Sequence, residues 1–185
     1  MDSGTESYRS FLAGDDNGFI EIVRDYKDGL ILYLDSFVRN IPIAEELAED
    51  TFVRLGVRKP RFSEKSAFRT WLYAIGRNVA IDFLRKQSGK TVLSEEDCAA
   101  FSENETPETA YLAEERKIVL HKAMRKLKAE YRQVLWLIYF DGFSLEEAAF
   151  VMRKTKHGTE SLAYRARQAL KQELIREGLT DEKLS

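Results

Sequence analysis

Arg69, Tyr73 and Arg77 recur at steps of four, and Asn78, Asp82 and Arg85 line a neighbouring face of the same stretch. Interleaved guanidinium, phenol and amide groups suit stacking on bases and holding phosphates. A second set lies near the C-terminus, where His157, Glu160, Ser161, Tyr164, Gln168 and Lys171 fall on one side of a helical repeat. Between Arg153 and Arg176 there are seven Lys or Arg against two Glu. This is the chemistry of recognition, not of bond making. The chain shows no paired catalytic constellation and no glycine-rich phosphate loop. Cys98 stands alone, far from His121 and His157, so the spacing supports no zinc site, and no metal, cofactor or enzymatic activity is expected.

Helices position both sets. Phe68, Leu72, Ile75, Val79 and Phe83 form an apolar stripe through a helix predicted from Phe68 to Lys86. Towards the C-terminus, Tyr131 to Phe140 reads as one buried helix, broken by Asp141-Gly142-Phe143. Ser144 and Glu147 have the spacing of a capping box that starts a second helix, with Leu145, Ala148, Ala149 and Met152 inward. Thr155 can cap a third, from Lys156 to about Glu173, that packs through Thr159, Leu162, Ala163, Ala166, Ala169 and Leu170. The result is a helix-turn-helix whose outward row faces a major groove.

Upstream, Phe19 to Arg39 predicts one long helix or two short ones divided near Gly29, and Ile41-Pro42 is expected to end that stretch. Ala44 to Leu55 predicts a further helix, with Glu45, Glu46, Glu49 and Asp50 outward and Leu47, Thr51 and Phe52 inward. The loop 56–66 places Arg58, Lys59, Arg61 and Lys65 around Pro60 and Phe62. Gln87 to Thr106 is poor in aromatics and carries Glu95, Glu96, Asp97, Glu103 and Glu105 against Lys90, which reads as a flexible acidic linker. Thr106-Pro107-Glu108 then starts a helix running to about Leu127.

The chain of 185 residues, 44% apolar, suits two small helical domains better than one large core. The expectation is an all-α protein with domains at 1–86 and 107–185, joined by residues 87–106, the second domain a helix-turn-helix of winged-helix-like type. A formal charge of -2 and a pI near 5.9 are unusual for a protein that grips DNA unaided, because nonspecific affinity comes from neutralised phosphates. DNA binding through a partner is the expectation. Without a long apolar run or a basic, apolar N-terminus, membrane insertion is not expected and a cytoplasmic location is.

Ala44 to Phe52, Phe68 to Lys86, and Phe143 to Leu170 ending in Tyr164-Arg-Ala-Arg167 together resemble bacterial RNA polymerase sigma factors of the extracytoplasmic-function group. The resemblance implies two conserved modules, region two and region four, and a transcription initiation factor. Its partners would be core RNA polymerase and promoter DNA, and it leaves open an anti-sigma factor. Glu45, Glu46, Glu49 and Asp50 would dock on the polymerase clamp. Arg61, Phe62, Ser63 and Lys65 would edge the pocket for a flipped minus-10 base, with Asn78, Asp82 and Arg85 holding adjoining nucleotides. Thr155, Lys156, Glu160, Ser161, Tyr164 and Arg165 would read the minus-35 element. Three residues depart from the family pattern: Ile43 replaces a common acid, Arg153 the usual glycine after the second helix, and Glu160 a common base.

A promoter spacer of about 17 base pairs is roughly 58 Å long. A free coil of about 20 residues averages only about 25 Å, although it reaches roughly 66 Å when fully drawn out. Both elements can be read together only if the linker is held open, which the resemblance assigns to the polymerase. The residues also fit a stand-alone helix-turn-helix transcriptional regulator with an N-terminal sensing or dimerising module.

Overall fold

The computed structural model describes residues 3–88 and 108–178, with side chains in the second span from 117 onward. Among the described residues there are eight α-helices and one π-helical turn, and no strand. The N-terminal half contains α1 (Ser3–Leu12), α2 (Asp16–Val38), α3 (Ile41–Arg58) and α4 (Phe68–Ser88). The C-terminal half contains α5 (Glu108–Lys126), α6 (Ala129–Leu135), the π-helical turn Trp136–Phe140, α7 (Leu145–Met152) and α8 (Lys156–Arg176). The acidic segment expected to be a linker lies almost wholly outside the described residues.

In the N-terminal half α2 is the hub, packing against α1, α3 and α4. Asp15 caps it, its carboxylate accepting from the Asn17 N–H at 3.0 Å. The helix runs unbroken through Gly29, because the residue is there for contact and not for a break. A Cβ at Gly29 would meet the Tyr73 hydroxyl at 2.6 Å. The stretch ends at Val38, just before Ile41-Pro42 as expected, but these two residues open the next helix, which was expected only from Ala44. Pro42 lies in the first turn of α3, where its missing N–H costs nothing, and the Asn40 side chain caps the helix by accepting from Ile43 N–H at 3.1 Å. Helix α1 had no counterpart in the sequence reading. It buries Tyr8 and Phe11 against α2 and α4, and its backbone comes so close to Gly18 that a Cβ there would lie 2.2 Å from the Ser7 carbonyl oxygen.

In the C-terminal half α8 packs against α5, α6 and α7. The capping box at Ser144 and Glu147 is present, with the carboxylate accepting from Ser144 N–H at 2.9 Å and the hydroxyl from Glu147 N–H at 3.2 Å. Thr155 caps α8, accepting from Gly158 N–H at 3.0 Å. The expected single buried helix from Tyr131 to Phe140 is corrected. After Leu135 the winding loosens to i→i+5, closed by Asp141 N–H on the Trp136 carbonyl at 3.0 Å. The extra residue per turn rotates Tyr139 and Phe140 outward, to 53% and 42% exposure, while the Trp136 and Phe140 rings stack at 4.4 Å.

The two halves meet along a seam where α4 packs against α7, and α2 against α6. Arg132, nearly buried, donates to the Ser36 carbonyl at 2.9 Å and to that of Leu127. Arg39 donates to the Arg125 carbonyl at 3.2 Å, and Arg125 to the Arg39 carbonyl at 3.4 Å. Guanidinium groups thus satisfy carbonyls at the C-terminal ends of α2 and α5, where the helix dipoles favour positive charge.

Candidate polymerase and nucleic-acid interfaces

Helix α3 turns Leu47, Thr51 and Phe52 into the core and leaves Glu45, Glu46, Glu49 and Asp50 exposed. Thr51 is accommodated inside by donating to the Leu47 carbonyl at 2.7 Å. The same exposed side continues into Val53 and Val57, at 58% and 78% exposure. The sequence reading missed these two. The signal was the step of four from Glu49 to Val53 to Val57, which sets apolar groups beside the acids.

Phe62 packs its ring 4.9 Å from Trp71 and 5.7 Å from Phe68, while Arg61, Ser63 and Lys65 stand exposed around it. The loop is held at both ends. The Tyr8 hydroxyl donates to the Pro60 carbonyl at 2.6 Å, and Arg9 Nε bonds Glu64 at 2.9 Å. On α4, Asn78 and Asp82 are half-buried and Arg85 is exposed. Asp82 also faces Arg54 on α3 at 3.5 Å, a partner that the sequence did not reveal, as well as Arg85 at 4.0 Å. Trp71 belongs to the aromatic cluster of Tyr8, Phe62 and Phe68, yet also lines a groove of about 470 Å³ with Ala74, Ile75 and Asn78.

One group is corrected. Arg69, Tyr73 and Arg77 do not form an open face for bases. Tyr73 is 2% exposed, its ring 5.2 Å from Tyr33 and 5.1 Å from Phe143. Arg69 donates to the Asp141 carbonyl at 2.9 Å and lies 4.1 Å over the Phe143 ring. The period placed these side chains on one face correctly, but the second half of the chain covers that face.

On α8 the expected outward row His157, Glu160, Tyr164, Gln168 and Lys171 is exposed with Ser161 half-buried, and Thr155, Lys156 and Arg165 are exposed as well. Arg165 Nε donates to the Ser161 carbonyl at 3.3 Å. Lys156 pairs with Glu146 at the start of α7, and this bond holds the Glu146 carboxyl below the usual range. Glu160 therefore does not share Lys156 as its ion-pair partner. Arg167 is exposed. Arg153, standing where the family has glycine, adopts the left-handed conformation itself (φ 53°, ψ 44°), with its N–H bonded to the Phe150 carbonyl at 3.2 Å.

Asp141, at the seam, is pushed up to about 6 by burial, against the opposing influence of Arg69, Tyr73 and Trp136. Tyr73 and Tyr33 are raised by burial too, and the Asp141 charge raises both further. In the unfolded chain the Asp141 carboxyl titrates near 3.8. Below that pH it is protonated in both states. As pH rises towards about 6 the unfolded carboxyl ionises first, so folded stability falls, and above 6 the full penalty remains. Asp141→Asn is therefore expected to raise the melting temperature at pH 7.5, with the gain shrinking towards pH 4. A gain independent of pH would show that the buried charge is not its cause.

A family model described as Sigma-70 region 2 matches residues 22–90, and one described as Sigma-70, region 4 matches residues 117–170. The chain is 31% identical over 176 residues to the RNA polymerase sigma-H factor of Pseudomonas aeruginosa, covering 89% of this chain and 91% of that protein. It is 29% identical over 162 residues to the ECF RNA polymerase sigma factor SigM of Bacillus subtilis, covering 88% and 98%. Among solved structures it resembles CnrH in complex with the cytosolic domain of CnrY, with TM-score 0.68, 23% identity and coverage of 96% and 100%. It also resembles the sigma factor RpoE of Bartonella quintana in complex with the anti-sigma factor NepR, with TM-score 0.68, 25% identity and coverage of 87% and 98%. The chain belongs to the extracytoplasmic-function group of the sigma-70 family, and it is a promoter-directing transcription initiation factor. No helix among the described residues is long and apolar enough to cross a membrane.

Proposed function

We propose that residues 1–86 and 107–185 act as two working domains joined by 87–106, the first docking on core polymerase and opening the minus-10 element, the second reading the minus-35 element. The observation that carries this reading is the pairing, in the first half, of the exposed acidic edge of α3 with the basic loop and exposed end of α4. Glu45, Glu46, Glu49 and Asp50, extended by Val53 and Val57, form the polymerase face. Its carboxylates steer and orient docking, and the valines supply apolar area at its C-terminal end.

Arg61, Phe62, Ser63 and Lys65 edge the site for an extruded base, and Asn78, Asp82 and Arg85 hold its neighbours. Extrusion costs a few kcal/mol per base, which stacking and edge hydrogen bonds offset. Thr155, Lys156, Glu160, Ser161, Tyr164 and Arg165 face the minus-35 groove. All of these roles are binding and none is catalytic, and the place of action is the cytoplasm. The likeness to RpoE, a sigma factor seen with an anti-sigma factor, supports an anti-sigma partner for this chain as well.

The test is the double variant Glu46→Lys with Glu49→Lys. Both side chains are exposed, so the melting temperature should hold within about 2 °C, the scale of a surface change under about 0.5 kcal/mol. Affinity for core polymerase should fall by about tenfold or more, the equivalent of about 1.4 kcal/mol. Unchanged core affinity with normal melting removes this face from the interface.

A further inference from the structure

The loop between α3 and α4 has no framework of its own. Among the described residues, 60–66 make no backbone–backbone hydrogen bond. Glu64 stands in the left-handed conformation at φ 58°, which a residue with a Cβ keeps only when its surroundings hold it there. Yet this loop carries Arg61, Phe62, Ser63 and Lys65, the side chains proposed to edge the base site. Groups from outside the loop must set its shape.

Neighbouring residues of α1 supply them. The Phe11 ring lies 4.4 Å from the Lys59 ammonium, where α3 ends in another left-handed residue at φ 42°. Tyr8, 1% exposed, donates its hydroxyl to the Pro60 carbonyl at 2.6 Å, and burial raises its pKa to about 12, so it remains a donor. Arg9 meets the Glu64 carboxylate with two bonds, Nε to Oε1 at 2.9 Å and Nη2 to Oε2. Between these anchors the Phe62 ring rests against Phe68 and Trp71, and the Tyr8 ring packs on the same two. Arg61 follows the anchored Pro60, and Ser63 and Lys65 flank the anchored Glu64.

Helix α1 is itself firmly seated. Ser7 Oγ donates to Glu21 on α2 at 2.7 Å, and a Cβ on Gly4 would lie 2.5 Å from the Phe68 ring on α4. The match to Sigma-70 region 2 begins only at residue 22, so the helix lies outside the matched segment. Its ion pair to the loop, with side chains 50% and 42% exposed, contributes little to stability. What two-point geometry supplies is orientation.

We propose that α1 is a brace for the minus-10 loop, with Tyr8 and Arg9 as positioning residues that hold it in the shape that receives a single-stranded base. A loop set beforehand spares the ordering cost that binding would otherwise carry. The proposal rests on the minus-10 reading of this loop, and the experiment separates the two.

Holoenzyme is assembled with wild type, with Arg9→Ala, or with the swapped pair Arg9→Glu and Glu64→Arg. Each is titrated with a fluorescent single-stranded DNA, of the sequence that wild-type holoenzyme selects from a randomised pool, and with copies lacking one base at a time. For wild type, removing the captured base should weaken binding by about tenfold or more. Arg9→Ala should bind the intact strand about five- to tenfold more weakly and the stripped strand as before, so that the preference for the base is lost. The swapped pair should regain most of it. Core affinity and melting should hold, because Arg9 is exposed; a merely structural role would lower both, and weaken both strands alike.

If wild type prefers the base and Arg9→Ala prefers it equally, or the swap does no better than Arg9→Ala, the brace is overturned and the minus-10 reading stands. If base removal costs wild type nothing at any position, the minus-10 reading falls and the brace's role in base capture falls with it. Without DNA, trypsin should cleave after Arg61 and Lys65 several times faster in Arg9→Ala and Tyr8→Phe than in wild type, because the loop opens locally. Unchanged cleavage overturns the brace whatever the DNA shows.

Discussion

Replacing Phe68 by alanine is expected to cost the N-terminal half about 3–5 kcal/mol, the range for truncating a fully buried phenylalanine. Phe68 has no exposed surface, and its ring lies 5.5 Å from Tyr8, 5.6 Å from Tyr26, 5.7 Å from Phe62 and 5.7 Å from Trp71. Those rings come from α1, α2, the loop and α4, so one side chain joins four segments. At about 4–8 °C per kcal/mol for a half of this size, its melting should fall by about 12 °C or more. The consequence reaches the proposed base site, because Phe62 loses the ring on which it rests edge-on. Binding of a single-stranded minus-10 oligonucleotide by the holoenzyme should weaken even at temperatures where α2 and α3 remain folded. Phe68→Leu, which keeps most of the volume, should lose much less of both. A loss below about 1 kcal/mol for Phe68→Ala would show that the cluster repacks and does not anchor the loop.

Where burial and period agree, the fold was legible. The stripe of α4 through Phe68, Leu72 and Val79, the inward set of α8 and both caps of the helix-turn-helix follow from local rules that tertiary packing left intact. The exposed acids of α3 were legible for the same reason. Three features were not. Helix α1 rests on only Tyr8 and Phe11, set in a polar stretch whose remaining buried residues are small, so its pattern is too thin for a periodicity argument. Gly29 looks like a break until Tyr73 is seen above it, because a glycine chosen for close approach is indistinguishable in sequence from one chosen for a turn. Above all, periodicity assigns a residue to a face but does not say what covers that face. Arg69 and Tyr73 have the chemistry of a nucleic-acid contact, but that chemistry is directed at Asp141 and Phe143. Arg61 and Lys65 in the loop and Arg85 at the end of α4, all exposed, remain the better candidates. Asp82 stands among them between Arg54 at 3.5 Å and Arg85 at 4.0 Å.

Glu160 should read a cytosine, and its removal should relax specificity at one base pair of the minus-35 element. A carboxylate at the groove face of α8 is repelled by phosphates unless it accepts a hydrogen bond from a base donor, and the cytosine N4 amino group is the donor that the major groove offers. The blander role, pairing with Lys156 four residues earlier, is weakened because Lys156 pairs with Glu146 on α7, and the Glu160 side chain stands exposed beside Ser161 and Tyr164. Lys156 still contributes by keeping positive charge beside the carboxylate, as its own raised pKa reflects in part. Glu160→Gln keeps the size and an acceptor but adds donors, so it favours adenine over cytosine at the contacted pair. Measured with holoenzyme on a set of minus-35 variants, the change should reduce discrimination at one position by about 1–3 kcal/mol, a factor of roughly 5 to 150, and leave the others unchanged. Melting should change little, because the residue is exposed and lies past the first turn of α8. If affinity instead rises evenly for every sequence, and falls more steeply with salt by the amount one removed negative charge predicts, the carboxylate is a repulsive charge and reads nothing.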